Sequence, residues 1–143
     1  MSQQVLSLSR RFDASPERLF AAWTDPAIAR GWLFTTAASE AVETLMDVRV
    51  GGAWTVVDWR DGVTYEAIGR YLALEPPTRL AFSFGMPQFS PAFTRVTVNL
   101  MADGDGAMLT LTQEGLPPEH IDATEQGWSD MFDALAVCLC AAA

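Results

Sequence analysis

Polar and apolar residues alternate with a period of two between Val42 and Gln113, and turn residues interrupt the alternation at regular intervals. Successive side chains of a β-strand point to opposite faces of a sheet, so this pattern predicts a meander of antiparallel strands. Asp61-Gly62 is a strong signal for a two-residue hairpin, and Pro76-Pro77 ends a strand because two N–H groups are missing there. The expected strands cover residues 42–48, 54–59, 65–75, 80–84, 96–100 and 109–113.

Helical patterns flank the meander. Before it, alternation over residues 3–12 predicts a first strand. After that strand, Ser15-Pro16-Glu17 supplies the capping serine, the proline and the acid that are typical of the start of a short helix. Asp25-Pro26 repeats this signal and predicts a second short helix over residues 26–30. After the meander, Pro117-Pro118-Glu119 opens a long helix whose apolar residues recur every three or four positions.

This order of elements predicts one α+β domain over residues 1–143. We expect a curved antiparallel sheet of about seven strands wrapped around a long C-terminal helix, with two short helices after the first strand. The chain has five Trp and eight Phe residues, more large apolar side chains than a minimal core of this size requires. We therefore expect an apolar pocket between the sheet and the long helix.

The charge and the hydropathy of the sequence argue against a nucleic-acid partner and a membrane partner. The formal net charge is -9, and all nine cationic residues are arginines, scattered singly apart from Arg10-Arg11. Nucleic-acid binding depends on clustered Lys and Arg, so no nucleic-acid partner is expected. No apolar run approaches the roughly 20 residues of a membrane span, and residues 1–4 lack a signal-peptide pattern. We expect a cytoplasmic protein without a membrane partner.

Six short segments, in this order and at these spacings, carry a family resemblance: Phe12–Phe20, Ala22–Pro26, Asp47–Trp54, Glu75–Leu80, Leu109–Gly115 and Gln126–Trp128. Together they resemble the family named for the activator of heat-shock protein 90 ATPase, within the START-like (SRPBCC) helix-grip superfamily. The resemblance spans nearly the whole chain and implies a sheet gripping a helix, with a central pocket. Ligands and activities differ widely in this superfamily, so function must be argued from the site.

One segment departs from the family pattern. Many members resemble Trp-Trp-Gly-Pro after the second helix, whereas this chain has Gly31-Trp32-Leu33-Phe34. The resemblance implies that this segment borders the pocket. Trp32 and Phe34 are therefore expected at a pocket mouth of altered shape.

Apolar residues on the inward faces are candidates for the pocket wall. They are Trp54, Val56, Phe82, Phe84, Val96, Val98, Trp128 and Phe132. Phe89 is a further candidate on a flexible rim over residues 85–92. Ordinary core packing explains each aromatic residue equally well, because a buried aromatic stripe has the same pattern with or without a ligand. Ala67 and Gly69 in mid-strand are expected to leave room for a ligand.

Polar residues among the strands are candidates for ligand contacts. Tyr65 and Tyr71 can offer hydroxyls, although strand tyrosines more often direct them to water. Asp58 either points inward as a polar anchor or general acid, or reaches solvent where its strand ends or bulges. Gln113 and Thr94 are weaker candidates of the same kind.

The sequence contains no recognisable catalytic or metal-binding motif. His120 is the only histidine, is expected to be exposed in the first turn of the long helix, and has no neighbouring ligand cluster. No serine or cysteine has a base at motif spacing. Cys138 and Cys140 point about 200° apart on a helix, so we expect them to fill apolar space rather than form a disulfide. No cofactor, metal or catalytic residue is predicted.

Three functions are compatible with the sequence. The leading one is binding of a small hydrophobic or amphipathic molecule by a monomer or homodimer. The second, implied by the resemblance alone, is a co-chaperone-like module with a chaperone partner. The third is an enzyme of the cyclase or hydratase kind, in which Asp58 and the tyrosines would move protons.

Overall fold

A computed structural model describes residues 4–36 and 38–141. The strands are β1 (Gln4–Phe12), β2 (Ala41–Met46), β3 (Ala53–Arg60), β4 (Val63–Glu75), β5 (Arg79–Phe84), β6 (Thr94–Asp103) and β7 (Gly106–Leu116). They form one antiparallel sheet in the order β1-β7-β6-β5-β4-β3-β2. The predicted meander is confirmed, because every strand from β2 to β6 pairs with its successor in the sequence.

In the described part of the chain, three α-helices accompany the sheet: α1 (Pro16–Thr24), α2 (Pro26–Ala29) and α3 (Ile121–Ala141). Both predicted caps are formed, since the Ser15 and Asp25 side chains accept hydrogen bonds from backbone N–H groups at 3.2 and 3.0 Å. A 3₁₀ turn over Pro118–His120 precedes α3, which therefore begins later than expected. Within the described residues, no helix is long and apolar enough to span a bilayer. The elements confirm the expected α+β helix-grip fold.

The β3–β4 hairpin sets the geometry of one end of the sheet. Asp61-Gly62 forms its two-residue turn with φ angles of 51° and 79°, as the sequence predicted. The resulting register places Val56 opposite Ala67 and Asp58 opposite Tyr65. Because directly opposed residues share a face, these four side chains lie on the same side of the sheet.

Aromatic rings fill the space between the sheet and the middle of α3. Phe132 meets Phe12 edge to face at a centroid distance of 5.9 Å, and Trp23 meets Trp32 in the same way at 4.7 Å. Trp128 lies 5.8 Å from Trp23, and all five residues are buried. Such pairs stabilise a core beyond the area they bury. The space between the sheet and the middle of α3, where we expected a pocket, is therefore closely packed.

The expectation that Gly69 leaves room for a ligand is wrong. Trp54 lies opposite Gly69, and its indole N–H donates a hydrogen bond of 3.2 Å to the carbonyl of Ser83. A Cβ atom at Gly69 would collide with that carbonyl and with the indole nitrogen of Trp54. The glycine therefore permits a close approach of Trp54 to the neighbouring backbone.

Candidate functional site

A cleft with a volume of about 600 Å³ lies at one end of the interface between helix and sheet. Its walls come from residues 31–36 after α2, the β3–β4 hairpin, Met86, and residues 127–134 of α3. Small-molecule sites commonly have volumes of roughly 300–1,000 Å³. The cleft therefore has the size of a small-molecule site, although it lies to one side of the expected position.

The floor of the cleft is apolar. Val56 and Ala67, a directly opposed pair on β3 and β4, are both buried. Met86, Met131 and Ala134 are half-buried and extend the apolar surface. Methionine side chains are flexible and polarisable, so this surface can adapt to ligands of different shape.

Phe34 closes the inner end of the cleft. Its ring stacks on Trp54 and Phe84 at centroid distances of 5.2 and 4.9 Å, and its N–H donates to the Sδ of Met131 at 3.0 Å. Its φ of 56° lies in the left-handed region, which is unfavourable for a bulky residue. Behind Phe34 is a void of about 10 Å³, room for one water at most. The packing of the ring thus holds a strained backbone and separates the cleft from the core.

Arg60 forms the polar end of the cleft. Its Nε–H donates to Oδ2 of Asp58 at 2.6 Å, and its guanidinium carbon lies 4.0 Å from the centre of the Tyr65 ring. The Arg60 side chain is 27% exposed and borders the cleft. The guanidinium is therefore held by a carboxylate and by an aromatic face.

Asp58 points inward, and the interpretation in which it reaches solvent is wrong. Its side chain is only 2% exposed, because β3 continues without a bulge to Arg60. The ion pair with Arg60 compensates the buried charge. Its second oxygen, Oδ1, is buried and has no hydrogen-bond partner within the described part of the chain. Asp58 supports Arg60 but does not line the cleft.

The outer rim of the cleft on α3 is acidic. Asp130 and Asp133 are both exposed there. Asp133 pairs with Arg10 at 2.8 Å, and Asp130 accepts a hydrogen bond from Gln126 at 2.9 Å. The rim therefore faces water, whereas the Arg60 charge at the polar end is partly shielded.

The structure brings only part of the predicted set of ligand-binding residues to the cleft. The predicted residues on its wall are Phe34, Val56 and Tyr65. Those that border the small void are Trp54, Tyr71 and Phe82. Those in the packed core are Trp32, Val96, Val98, Trp128 and Phe132, and the half-buried Phe84 packs against them. Phe89 is 67% exposed, and its ring centre lies 6.2 Å from that of Tyr65.

Three residues predicted as polar contacts do not line the cleft: Tyr71, Gln113 and Thr94. Burial, with a smaller contribution from the negative charge of Asp47, raises the pKa of the Tyr71 hydroxyl far above its usual value. The N–H of Trp128 donates to Gln113 at 2.8 Å, and the Gln113 amide donates to Thr94 at 2.8 Å. Gln113 and Thr94 therefore satisfy the polar atom of a core tryptophan.

Sequence reasoning missed Arg60, Met86 and Met131 at the cleft. Arg60 had a signal, since it lies two positions after Asp58 and must share its face. Met131 adjoins Phe132, and helical periodicity alone does not decide which of the two faces a cleft. Met86 lies in a loop, where no periodicity gives an orientation.

The histidine and the cysteines lie away from the cleft. His120 is exposed, as expected. Burial raises the pKa of the half-buried Cys138 thiol, whereas Cys140 is exposed, so the expectation of apolar packing is wrong for Cys140. Over residues 4–36 and 38–141, no group of three or more His, Cys, Asp or Glu side chains is placed to hold a metal ion.

Comparisons with known proteins give a family and a set of similar structures. The family model described as Activator of Hsp90 ATPase homolog 1-like protein matches residues 13–140. Protein CV1439 from Chromobacterium violaceum is 28% identical, with a TM-score of 0.81 over 93% of this chain and 94% of that chain. A protein from Rhodobacter sphaeroides is 29% identical, with a TM-score of 0.80 over 96% and 93%.

A third similar structure extends the likeness in fold. Protein SA2116 from Staphylococcus aureus, described as a protein of unknown function, has a TM-score of 0.87 over 99% of this chain and 96% of that chain. Its sequence identity of 22% shows a shared fold alone. No curated protein matches the chain.

Proposed function

The chain belongs to the family of activator of Hsp90 ATPase homolog 1-like proteins, and we propose that its cleft binds a small hydrophobic or amphipathic molecule. The observation that carries this proposal is an open space of about 600 Å³ with an apolar floor, beside a core that is otherwise closely packed. Sites of this size, with mainly apolar walls and a few polar groups, are typical of small-molecule binding.

The two ends of the cleft differ in polarity, so they favour an amphipathic ligand that binds in one orientation. The apolar part of the ligand fits against Val56, Ala67 and the Phe34 ring, and a polar end fits near Arg60. Buried apolar surface would supply most of the affinity, at roughly 25 cal/mol per Å² before the entropic costs of binding. The polar end would set the orientation.

A titration with N-phenyl-1-naphthylamine, a neutral dye that fluoresces in apolar sites, tests this proposal. Ala134→Trp places an indole in the cleft from α3 and is expected to abolish binding. Ala123→Trp makes the same substitution at an exposed position of the same helix, away from the cleft, and is expected to bind like the wild type. Equal binding by the two variants, or no binding by the wild type, would contradict the proposal.

The family description supports a second proposal, a chaperone partner. It is motivated by the match over residues 13–140. Addition of the protein to heat-shock protein 90, with association and ATPase rate as readouts, tests it. The absence of association at high micromolar concentration would contradict this second proposal. The cytoplasmic location and the monomeric or homodimeric state also stay predictions.

The geometry does not favour the cyclase or hydratase alternative. Asp58 lies behind Arg60, Tyr65 packs against the guanidinium, and Tyr71 borders the interior void. The residues expected to move protons thus do not surround one space. Asp58→Asn would slow any turnover if Asp58 were a general acid.

A further inference from the structure

Arg60 retains unused hydrogen-bond donors at the cleft. A guanidinium carries N–H groups on Nε, Nη1 and Nη2. Of these, the hydrogen bonds among the described residues use only Nε–H, which donates to Asp58 at 2.6 Å. Arg60 borders the cleft, so its Nη groups are available to a molecule bound there. A partly buried cation with free donors favours an acceptor of opposite charge.

The Arg60 side chain is already fixed before any ligand binds. Asp58 holds it at Nε, and the Tyr65 ring packs against it at 4.0 Å. Asp58 is itself buried on β3, and Tyr65 lies opposite it on β4, so both supports belong to hydrogen-bonded strands of the sheet. A preorganised guanidinium loses little conformational entropy when it forms a further bond.

We infer that Arg60 anchors an anionic group, such as a carboxylate or sulfonate, at the polar end of the ligand. With Nε occupied, Nη1 and Nη2 form a fork that matches two oxygens of one anion. The inference rests on the proposed function and narrows its ligand to a small apolar molecule with one acidic head. Asp58 is a positioning residue in this arrangement.

The other charged residues around the cleft affect how strongly Arg60 binds an anion. Asp58 offsets part of the Arg60 charge, so directional hydrogen bonds rather than net charge dominate the attraction. Asp130 and Asp133 on the opposite wall are exposed, and Asp133 is paired with Arg10. Exposed charges are screened by water and salt, so they weaken the binding of an anion without preventing it.

Two dyes that differ in one group test the anchor. 1-Anilinonaphthalene-8-sulfonate has the ring system of N-phenyl-1-naphthylamine plus a sulfonate. We expect Arg60→Met to weaken binding of the sulfonate dye about tenfold and of the neutral dye less than about twofold. Arg60→Lys, which keeps the charge but loses the fork, should be intermediate. Fluorescence titrations of each variant give the dissociation constants.

A second variant guards against a folding defect, because Arg60→Met leaves Asp58 unpaired. Asp58→Asn with Arg60→Met removes both charges and should show the same selective loss of the sulfonate dye. Equal loss of both dyes in the double variant, or no loss of the sulfonate dye in either variant, would overturn the anchor, whereas binding of the neutral dye by the wild type would still support the cleft. If the wild type binds neither dye, the proposed function and the anchor are both wrong.

Discussion

The indole N–H of Trp128 donates a hydrogen bond of 2.8 Å to Oε1 of Gln113, which links α3 to β7 inside the core. The Gln113 amide continues this link to Thr94 on β6 at 2.8 Å. Buried polar atoms need such partners, and Gln113 provides the one for the Trp128 indole. The link fixes α3 against the sheet, and α3 forms one wall of the cleft.

Gln113→Leu is expected to lower the free energy of unfolding by about 1–3 kcal/mol, because it leaves the buried N–H of Trp128 without an acceptor. Urea denaturation followed by circular dichroism measures this. Gln126→Leu is the control, since Gln126 is exposed and, among the residues described, its amide bonds only Asp130. The control should change stability by less than about 0.5 kcal/mol. Equal effects would contradict a structural role for the Gln113–Trp128 bond.

Substitutions of Phe34 should reverse the usual ranking of alanine and glycine. Both variants lose the ring stacking, but only glycine relieves the backbone, whose φ is 56°. We expect Phe34→Gly to be more stable than Phe34→Ala by about 1 kcal/mol. At Thr35, which has no positive φ, alanine should be the more stable of the two. The midpoints of urea unfolding for the four variants test this. A higher midpoint for the alanine variant than for the glycine variant at both positions would contradict it.

Arg60 should matter for stability as well as for binding. Arg60→Met leaves a buried carboxylate at Asp58 without its partner and is expected to lower the free energy of unfolding by about 2 kcal/mol. The double variant with Asp58→Asn should recover part of this loss. Arg79→Met breaks an exposed pair with Glu75 and should cost less than about 1 kcal/mol. If the double variant is no more stable than the single one, Arg60 does not compensate Asp58.

Tyr71 should make the protein sensitive to high pH. Burial raises the pKa of its hydroxyl in the folded state, so the folded protein holds this proton more tightly than the unfolded chain, where the pKa is about 10. This difference in proton affinity leaves the free energy of unfolding unchanged below about pH 10 and lowers it as the pH rises further. Tyr71→Phe should therefore show a shallower decline above about pH 10 in urea unfolding. Parallel curves for the two proteins would refute the assignment.

The fold could be predicted from the sequence because its signals are local. Alternation fixed the strand faces, Asp61-Gly62 set the β3–β4 register, and the caps at Ser15 and Asp25 placed the short helices. The expectation of a single domain over residues 1–143 stays a prediction, which one cooperative unfolding transition would support.

The site was harder to predict because its position depends on packing between distant segments. A pattern shows that Trp128 faces inward, but not that Trp23 and Phe34 fill the space in front of it. The same limit applies to Asp58, whose burial depends on the charge that Arg60 brings from two residues away. The cleft is what these large side chains leave unfilled.

Amide chemical shifts of ¹⁵N-labelled protein during a titration with N-phenyl-1-naphthylamine test the cleft most directly. We predict that the shifts concentrate in residues 31–36, the β3–β4 hairpin and residues 127–134, which surround the cleft. Shifts centred instead on the exposed apolar residues Leu45, Val48 and Val50, or no shifts at saturating dye, would contradict a ligand site in the cleft.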